Sequence, residues 1–244
     1  MVVGVYCEEK SKGISFEECI ACGKCLPSQL IKSLRVFDYK PIRNNYYVRE
    51  VIGCLRKAYF ERRNDSGDTY LTLKELYPRK RGDLMGKITG ENGWDELPGS
   101  LSYNVDGEDL KLTARLDLYD HDKHEIIELK STENIWSRYL PKDSDVLQIQ
   151  SYGVIFKKIL SVEKLRIVYL GMNDFRQVEI PSIDKSLWLK SRVETLHRSI
   201  RDSKIPEEEK SYGCNFCQYQ SQCNQINVTR PMAGQVLTSI GGKN

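Results

Sequence analysis

The sequence predicts an α/β fold, a mixed sheet flanked by helices, and three stretches carry that prediction. Leu110, Leu112, Leu116 and Leu118 alternate with polar neighbours, the period of a strand with one buried face. After the polar turn from Asp120 to His124, a second and more apolar strand runs from Glu125 to Lys130. The segment DSDVLQIQSYGVIFKKIL, residues 143–160, has a helical period, with Asp143 or Ser144 placed to cap its start. A further pair of strands follows, KLRIVYLG and FRQVEI, joined by the turn MND.

The remaining elements read in chain order. Residues 1–30 form a cysteine-rich segment and 31–90 a basic helical region. Residues 91–205 hold the core, 206–226 a second cysteine-rich segment, and 227–244 a tail with Gly and Ser. The reading over 28–63 is helical. Its clearest part is VREVIGCLRKAYFERR, where Val48, Val51, Ile52, Leu55, Tyr59 and Phe60 fall near one face and Cys54 sits inside. Residues 64–70 are a loop by composition, and a helix starts near Leu71 and breaks at Pro78. Residues 91–109, with Gly93, Pro98, Gly99 and Gly107, read as turn-rich. A long helix covers 184–203, with Leu187, Val193, Leu196 and Ile200 on its apolar side.

Composition bounds the function. The chain of 244 residues is 40% hydrophobic and 29% charged, which is globular, and its net charge of +3 says little about partners. Distribution says more. Arg35, Lys40, Arg43, Arg49, Arg56, Lys57, Arg62, Arg63, Lys74, Arg79, Lys80 and Arg81 recur among Tyr39, Tyr46, Tyr47 and Tyr59. That mixture suits phosphate contacts and base stacking, or else a solvated helical face. No signal peptide opens the chain and no apolar run approaches the ~18 residues of a membrane span, so the expectation is a soluble, cytoplasmic protein without a membrane partner. Eight cysteines in that setting argue for metal or cluster ligation rather than disulfides.

The hairpin carries the chemistry. If it is symmetric about Asp122 and Lys123, Asp117 lies opposite Glu128, with Cβ atoms roughly 4.5–5.5 Å apart. Lys130 is two residues further along the same face. Two carboxylates and an ammonium then converge, a divalent-metal site with a cation beside it. Gln148 and Tyr152, four apart on the following helix, share a face. Among the cysteines, Cys19, Cys22 and Cys25 have C-x2-C-x2-C spacing with Cys7 the nearest fourth thiol, and either an iron–sulfur cluster or zinc suits them. Cys214, Cys217 and Cys223 follow at C-x2-C-x5-C.

Asp117, ten intervening residues and Glu128-Leu129-Lys130 look like the PD-(D/E)xK signature, and the order helix, hairpin, helix, strand is that of a restriction-endonuclease-like core. With Cys54 before it, Gln148-x-x-x-Tyr152 within it and Cys214, Cys217 and Cys223 after it, the chain from about 48 to 225 resembles the CRISPR-associated, RecB-like exonucleases that carry an iron–sulfur cluster. The resemblance implies a divalent-metal-dependent deoxyribonuclease acting on single-stranded DNA ends in spacer acquisition, alongside the CRISPR integrase complex. It implies Mg²⁺ or Mn²⁺ on Asp117, Glu128 and the Leu129 carbonyl, with Lys130 orienting the attacking water and Gln148 and Tyr152 positioning the strand. It also implies a [4Fe–4S] cluster on Cys54, Cys214, Cys217 and Cys223. One departure stands out. Where the family has Gly-x-x-x-His, this chain has Gly82-Asp83-Leu84-Met85-Gly86, so Gly86 replaces the ligand His and Asp83, or else Glu91, is its substitute. His121 and His124, in the hairpin turn, read as solvated. That departure leaves room for a non-catalytic DNA-binding scaffold, and the same chemistry also suits a nuclease carried by a virus or mobile element.

Overall fold

The computed structural model describes residues 2–35, 41–63, 69–78, 80–81 and 97–229. The core is built on two sheets. In the first, β5 (Leu97–Val105) and β6 (Glu108–Leu116) pair antiparallel, and β3 (Asn45–Tyr47) lies parallel to the other edge of β6. In the second the order is β10-β9-β8-β7: β7 (Leu118–Asp120), β8 (Glu125–Ser131), β9 (Lys164–Leu170) and β10 (Phe175–Ile180). The β8–β9 pair is parallel and its neighbours antiparallel, so the sheet is mixed. Asp117 is the bend at which the chain leaves the first sheet for the second.

Helix α6 (Asp143–Phe156) makes the parallel crossover and lies against β8, β9 and β5. It is buried on more than one face: Ile149, Gln150, Ser151, Tyr152, Ile155 and Phe156 are all inside. That explains why a single apolar stripe does not describe it. Helix α7 (Ser186–Arg201) buries Leu189, Val193 and Leu196 against α3 (Val48–Ile52) and α4 (Leu55–Arg63). Residues from Tyr46 to Tyr219 close one continuous core.

A second, smaller core holds Val5, Ile14, Phe16, Cys19, Ile31, Leu34 and Leu76. Around it sit β1 (Val2–Cys7), β2 (Lys12–Ser15), β4 (Thr69–Leu71), α1 (Phe16–Cys22), α2 (Ser28–Ser33) and a helix, α5, over residues 73–78 and 80–81. Ser15 caps α1, with Glu18 closing the reciprocal capping box.

Four expectations are corrected. The N-terminal part is not simply helical: β2, β1 and β4 form a sheet of their own, with α5 starting at residue 73, close to the expected Leu71. The segment VREVIGCLRKAYFERR is two helices, because the extended backbone at Gly53 ends α3. The turn-rich stretch contains the strand β5. Its Pro98 is tolerated because β5 is an edge strand of its sheet. Gly99 is there because a Cβ would stand 2.6 Å from the Phe156 ring. Asp106 and Gly107, both at positive φ, form the two-residue turn to β6. Last, neither Asp143 nor Ser144 caps α6: the N-cap is Lys142, with no side-chain cap bond, and Asp143 and Asp145 face the helix dipole from the first turn instead. Among the described residues, no helix is long and apolar enough to cross a membrane.

Candidate active site

The β7–β8 register is Leu118↔Ile127, Tyr119↔Ile126 and Asp120↔Glu125, which continues to Asp117 opposite Glu128. The ladder stops one pair short of them. Asp117 Oδ2 instead accepts a hydrogen bond from the Leu129 backbone N–H at 2.8 Å, holding its carboxylate across the start of the Glu128-Leu129-Lys130 triplet. Lys130 Nζ donates to Glu128 Oε1 at 2.6 Å and to Gln148 Oε1 at 2.8 Å, and Gln148 Nε2 donates to the Tyr152 hydroxyl at 2.8 Å. The structure thus gathers Asp117, Glu128, Lys130, Gln148 and Tyr152 into one connected group, with β8 presenting the charges and α6 the orienting side chains.

The electrostatics are those of a site short of positive charge. Glu128 is 2% exposed, and its Oε2 is buried with no hydrogen-bond partner among the described residues. Burial, followed by the charge of Asp117, pushes its carboxyl up to about 8 from the usual 4.5. For Lys130, burial works to remove the proton, but the charge and hydrogen bond of Glu128 outweigh it and the ammonium is held above its ordinary value. The Tyr152 hydroxyl is pushed up by burial and by Glu128. An orphaned carboxylate oxygen beside a second carboxylate is what a hard divalent cation satisfies. The Asp117 and Glu128 carboxylates with the Leu129 carbonyl are an oxygen donor set that fits Mg²⁺ or Mn²⁺.

The profile of the PD-(D/E)XK nuclease superfamily matches residues 54–224. This chain belongs to that superfamily. Membership implies a divalent-metal-dependent nuclease, with Mg²⁺ or Mn²⁺ as metal and DNA as substrate. The fold also resembles a solved structure titled "Crystal structure of SSO0001", at a TM-score of 0.55 and 20% identity over 80% of this chain and 93% of that one. No curated protein matches the sequence.

The nuclease site contains groups that the sequence reading missed. Asp145 is buried, accepts from the Tyr169 hydroxyl at 2.8 Å, and lies close enough to raise the carboxyl of Glu128 and the ammonium of Lys130. Its three-residue spacing from Gln148 places both on one helical face, which is the signal that could have found it. Arg115, two residues before Asp117 on the same side of the chain, is near enough to lower the Tyr152 hydroxyl. Asp83, Gly86 and Glu91 lie outside the described residues. His121 and His124 remain in the hairpin turn, around Tyr119.

The cysteines fall into two neighbourhoods. Arg56 donates to Cys223 Sγ at 3.1 Å and to the Pro206 carbonyl at 3.0 Å, while the Leu55 N–H donates to Glu209. The segment at Cys54, placed between α3 and α4 rather than within a helix, is thereby joined to the one carrying Cys214, Cys217 and Cys223. At the other end, Cys7 closes β1, and Cys19 and Cys22 lie on α1. Burial, and then the thiols of Cys25, Cys22 and Cys7, raise the Cys19 thiol, and the Lys24–Glu9 ion pair at 3.3 Å ties the turn after α1 to the one after β1. Among the described residues, no three His, Cys, Asp or Glu side chains converge at metal-binding distance, in either cysteine group or at the carboxylates.

The basic stretch is also corrected in part. Arg56 is 1% exposed, and Arg62 makes a bidentate pair with buried Glu50 beneath the Tyr46 ring, so neither is available to a phosphate.

Proposed function

We propose that this nuclease is an exonuclease trimming single-stranded DNA ends, and that it prepares such ends for CRISPR spacer acquisition beside the integrase complex. The observation that carries catalysis is the buried Glu128 Oε2 beside Asp117, without a hydrogen-bond partner among the described residues, with Lys130 Nζ fixed on the other oxygen. The single-strand and spacer-acquisition parts rest on the ordered set of Cys54, the Asp117/Glu128/Lys130 pattern, Gln148-x-x-x-Tyr152 and the C-terminal cysteines. Asp117, Glu128 and the Leu129 carbonyl, with Asp83 or else Glu91 as a further ligand, would hold Mg²⁺ or Mn²⁺, which would supply an acidified water and neutralise charge on the scissile phosphate.

The chain's own groups do the rest. Lys130 donates to the attacking water and then to the developing negative charge. Gln148 holds the ammonium in place through Oε1 and is itself held by Tyr152. In this reading Cys54, Cys214, Cys217 and Cys223 hold a [4Fe–4S] cluster with a structural role, tying the segment before the core to the one after it and so closing a long loop. Cys7, Cys19, Cys22 and Cys25 hold a second centre, a cluster or zinc.

Gly86 in place of the motif His favours a second reading, a weakly active or non-catalytic DNA-binding scaffold of the same adaptation complex. A Mn²⁺-dependent assay on end-labelled single-stranded DNA decides between the two. Cleavage that falls by at least ~10²-fold in Lys130→Ala supports the enzyme, the scale of a lost transition-state contact. A wild-type protein that binds DNA but cleaves with neither Mg²⁺ nor Mn²⁺ supports the scaffold.

A further inference from the structure

We propose that Trp136 and Tyr139 form a base-stacking platform that receives the unpaired end of the DNA strand beside the Asp117–Glu128–Lys130 site, an inference that rests on the nuclease reading above. Both rings stand in the connection from β8 to α6, Trp136 at 72% and Tyr139 at 69% exposure. The exposure is not that of a loose loop. Ile135 and Leu140, on either side, are buried at 5% and 7%. Arg176 donates to the carbonyls of Ile135 and Ser137, Asn134 Oδ1 accepts from the Trp136 N–H at 3.0 Å, and Ser137 Oγ accepts from the Tyr139 N–H at 3.3 Å. A fixed backbone thus turns two aliphatic side chains inward and two large aromatic rings outward, although Trp is highly buried on average.

Chemistry and position name the occupant. Arg138 lies 4.9 Å over the Tyr139 ring and donates to its hydroxyl at 2.7 Å, so a guanidinium and two π-faces are offered together. Aromatic rings that stack successive bases, with Arg beside them for phosphate, are the recurring device for single strands, because every unpaired base has a free face. The rings follow Lys130 by six and nine residues, so Trp136 is within ~20 Å of chain from the reacting groups. The same connection leads into α6, which carries Asp145, Gln148 and Tyr152. Ser131 pairs with Leu170, and a Cβ on Gly171 would stand 3.0 Å from Ile135, so the tip of the β9–β10 hairpin, with Met172 and Phe175 exposed, borders the platform. All of this lies at the carboxyl ends of the parallel strands β8 and β9, the end at which open α/β sheets bind ligands. Base-paired DNA keeps its base faces stacked internally and gains little from such rings.

The test is anisotropy of a fluorescent oligothymidylate and of a blunt duplex, titrated with the full-length protein in metal-free buffer. Trp136→Ala and Tyr139→Ala are each expected to weaken single-strand binding by about 5- to 140-fold, with duplex binding nearly unchanged and Trp136→Phe retaining most of the affinity. The loss should persist at high salt, where phosphate contacts fade. Melting temperatures should not move, since both side chains are exposed. Should either alanine variant misfold, Trp136→Phe against Trp136→Leu gives the same comparison at near-constant bulk. Unchanged single-strand affinity, an equal loss on duplex, or no single-strand binding by the wild type overturns the platform, and an equal loss would point to a docked protein or a general surface effect. A wild type whose single-strand binding depends on Trp136 but which never cleaves leaves the platform standing and removes the catalytic reading. A wild type that cleaves, with alanine variants that bind as it does, removes only the platform.

Discussion

Glu128 carries a charge that the fold alone does not reward. Its Oε1 is matched by Lys130, but its Oε2 is buried without a hydrogen-bond partner among the described residues and faces the field of Asp117. With the carboxyl pushed up to about 8, the folded protein holds the proton more tightly than the unfolded chain. The stability from that proton is complete below the usual 4.5 and is lost as pH rises through about 8. Glu128→Gln keeps the Lys130 contact through its carbonyl and removes the charge. It is therefore expected to stabilise the metal-free protein by about 1–3 kcal/mol, the cost of an unsatisfied buried group. Thermal melts in chelator should show that rise at pH 8 and little of it at pH 5. Added Mg²⁺ should raise the melting temperature of the wild type and leave Glu128→Gln where it was, because a cation that binds only the folded state stabilises it by mass action. A wild type indifferent to Mg²⁺ would remove Glu128 from the metal site.

At the scale of elements, one residue of α7 decides how the split helix α3–α4 sits. Arg192 donates to the carbonyls of Val51 and Gly53, which the end of α3 leaves unpaired, and to both oxygens of Glu209. Glu209 also accepts from the Leu55 N–H at 3.0 Å, the open start of α4. Burial works to raise the Glu209 carboxyl, but Arg192 and the Leu55 N–H outweigh it and hold it below its ordinary value. That contribution is present above pH 4.5 and fades as pH falls below it. Glu209 is 39% exposed, so its Coulomb attraction is screened, and the fork onto two carbonyls matters more. Arg192→Ala should cost about 1.5–3 kcal/mol in urea unfolding, and Arg192→Lys should recover little of it, since a point charge cannot bridge two carbonyls and a carboxylate. A loss under about 0.5 kcal/mol, the scale of an ordinary surface substitution, would show that Cys54 is positioned by something else.

Across the whole molecule the two cores predict two different responses to cysteine loss. Among the described residues the small core buries seven side chains, and its four thiols are where a metal would reinforce it. Cys217 packs against the large core, in the segment that Arg56 and Glu209 bind to α4. Cys22→Ala should then disturb only the N-terminal unit and leave a folded, coloured protein, whereas Cys217→Ala should bleach and aggregate. Iron, sulfide and zinc analysis of wild type and both variants, with melting curves, separates these cases. Colour retained in Cys217→Ala would overturn the cluster assignment, and bleaching in both would mean a single centre drawing on both groups.

Local pattern alone gives the β7–β8 turn and its register, Leu118↔Ile127 through Asp120↔Glu125, but not that the ladder stops one pair short of Asp117 and Glu128 or that the strand through Leu116 belongs to the first sheet. The Gln148–Tyr152 face and the strands on either side of Met172 were equally local and equally legible. β5 was hidden because Pro98 and Gly99 mark a turn in most settings. Only the Phe156 ring, 57 residues after Gly99, explains why a glycine stands in that strand. The Asp106-Gly107 turn between Val105 and Leu110 was the available sign. Asp145 could be placed on the face of Gln148, yet it took Tyr169 from β9 to turn its carboxylate inward. Likewise Arg56 and Arg62 read as surface cations until Pro206, Cys223 and Glu50 closed over them. Periodicity fixes which residues share a face. Which face is buried, and which charge is thereby paired or left bare, depends on partners distant in the chain, and tertiary packing alone supplies those.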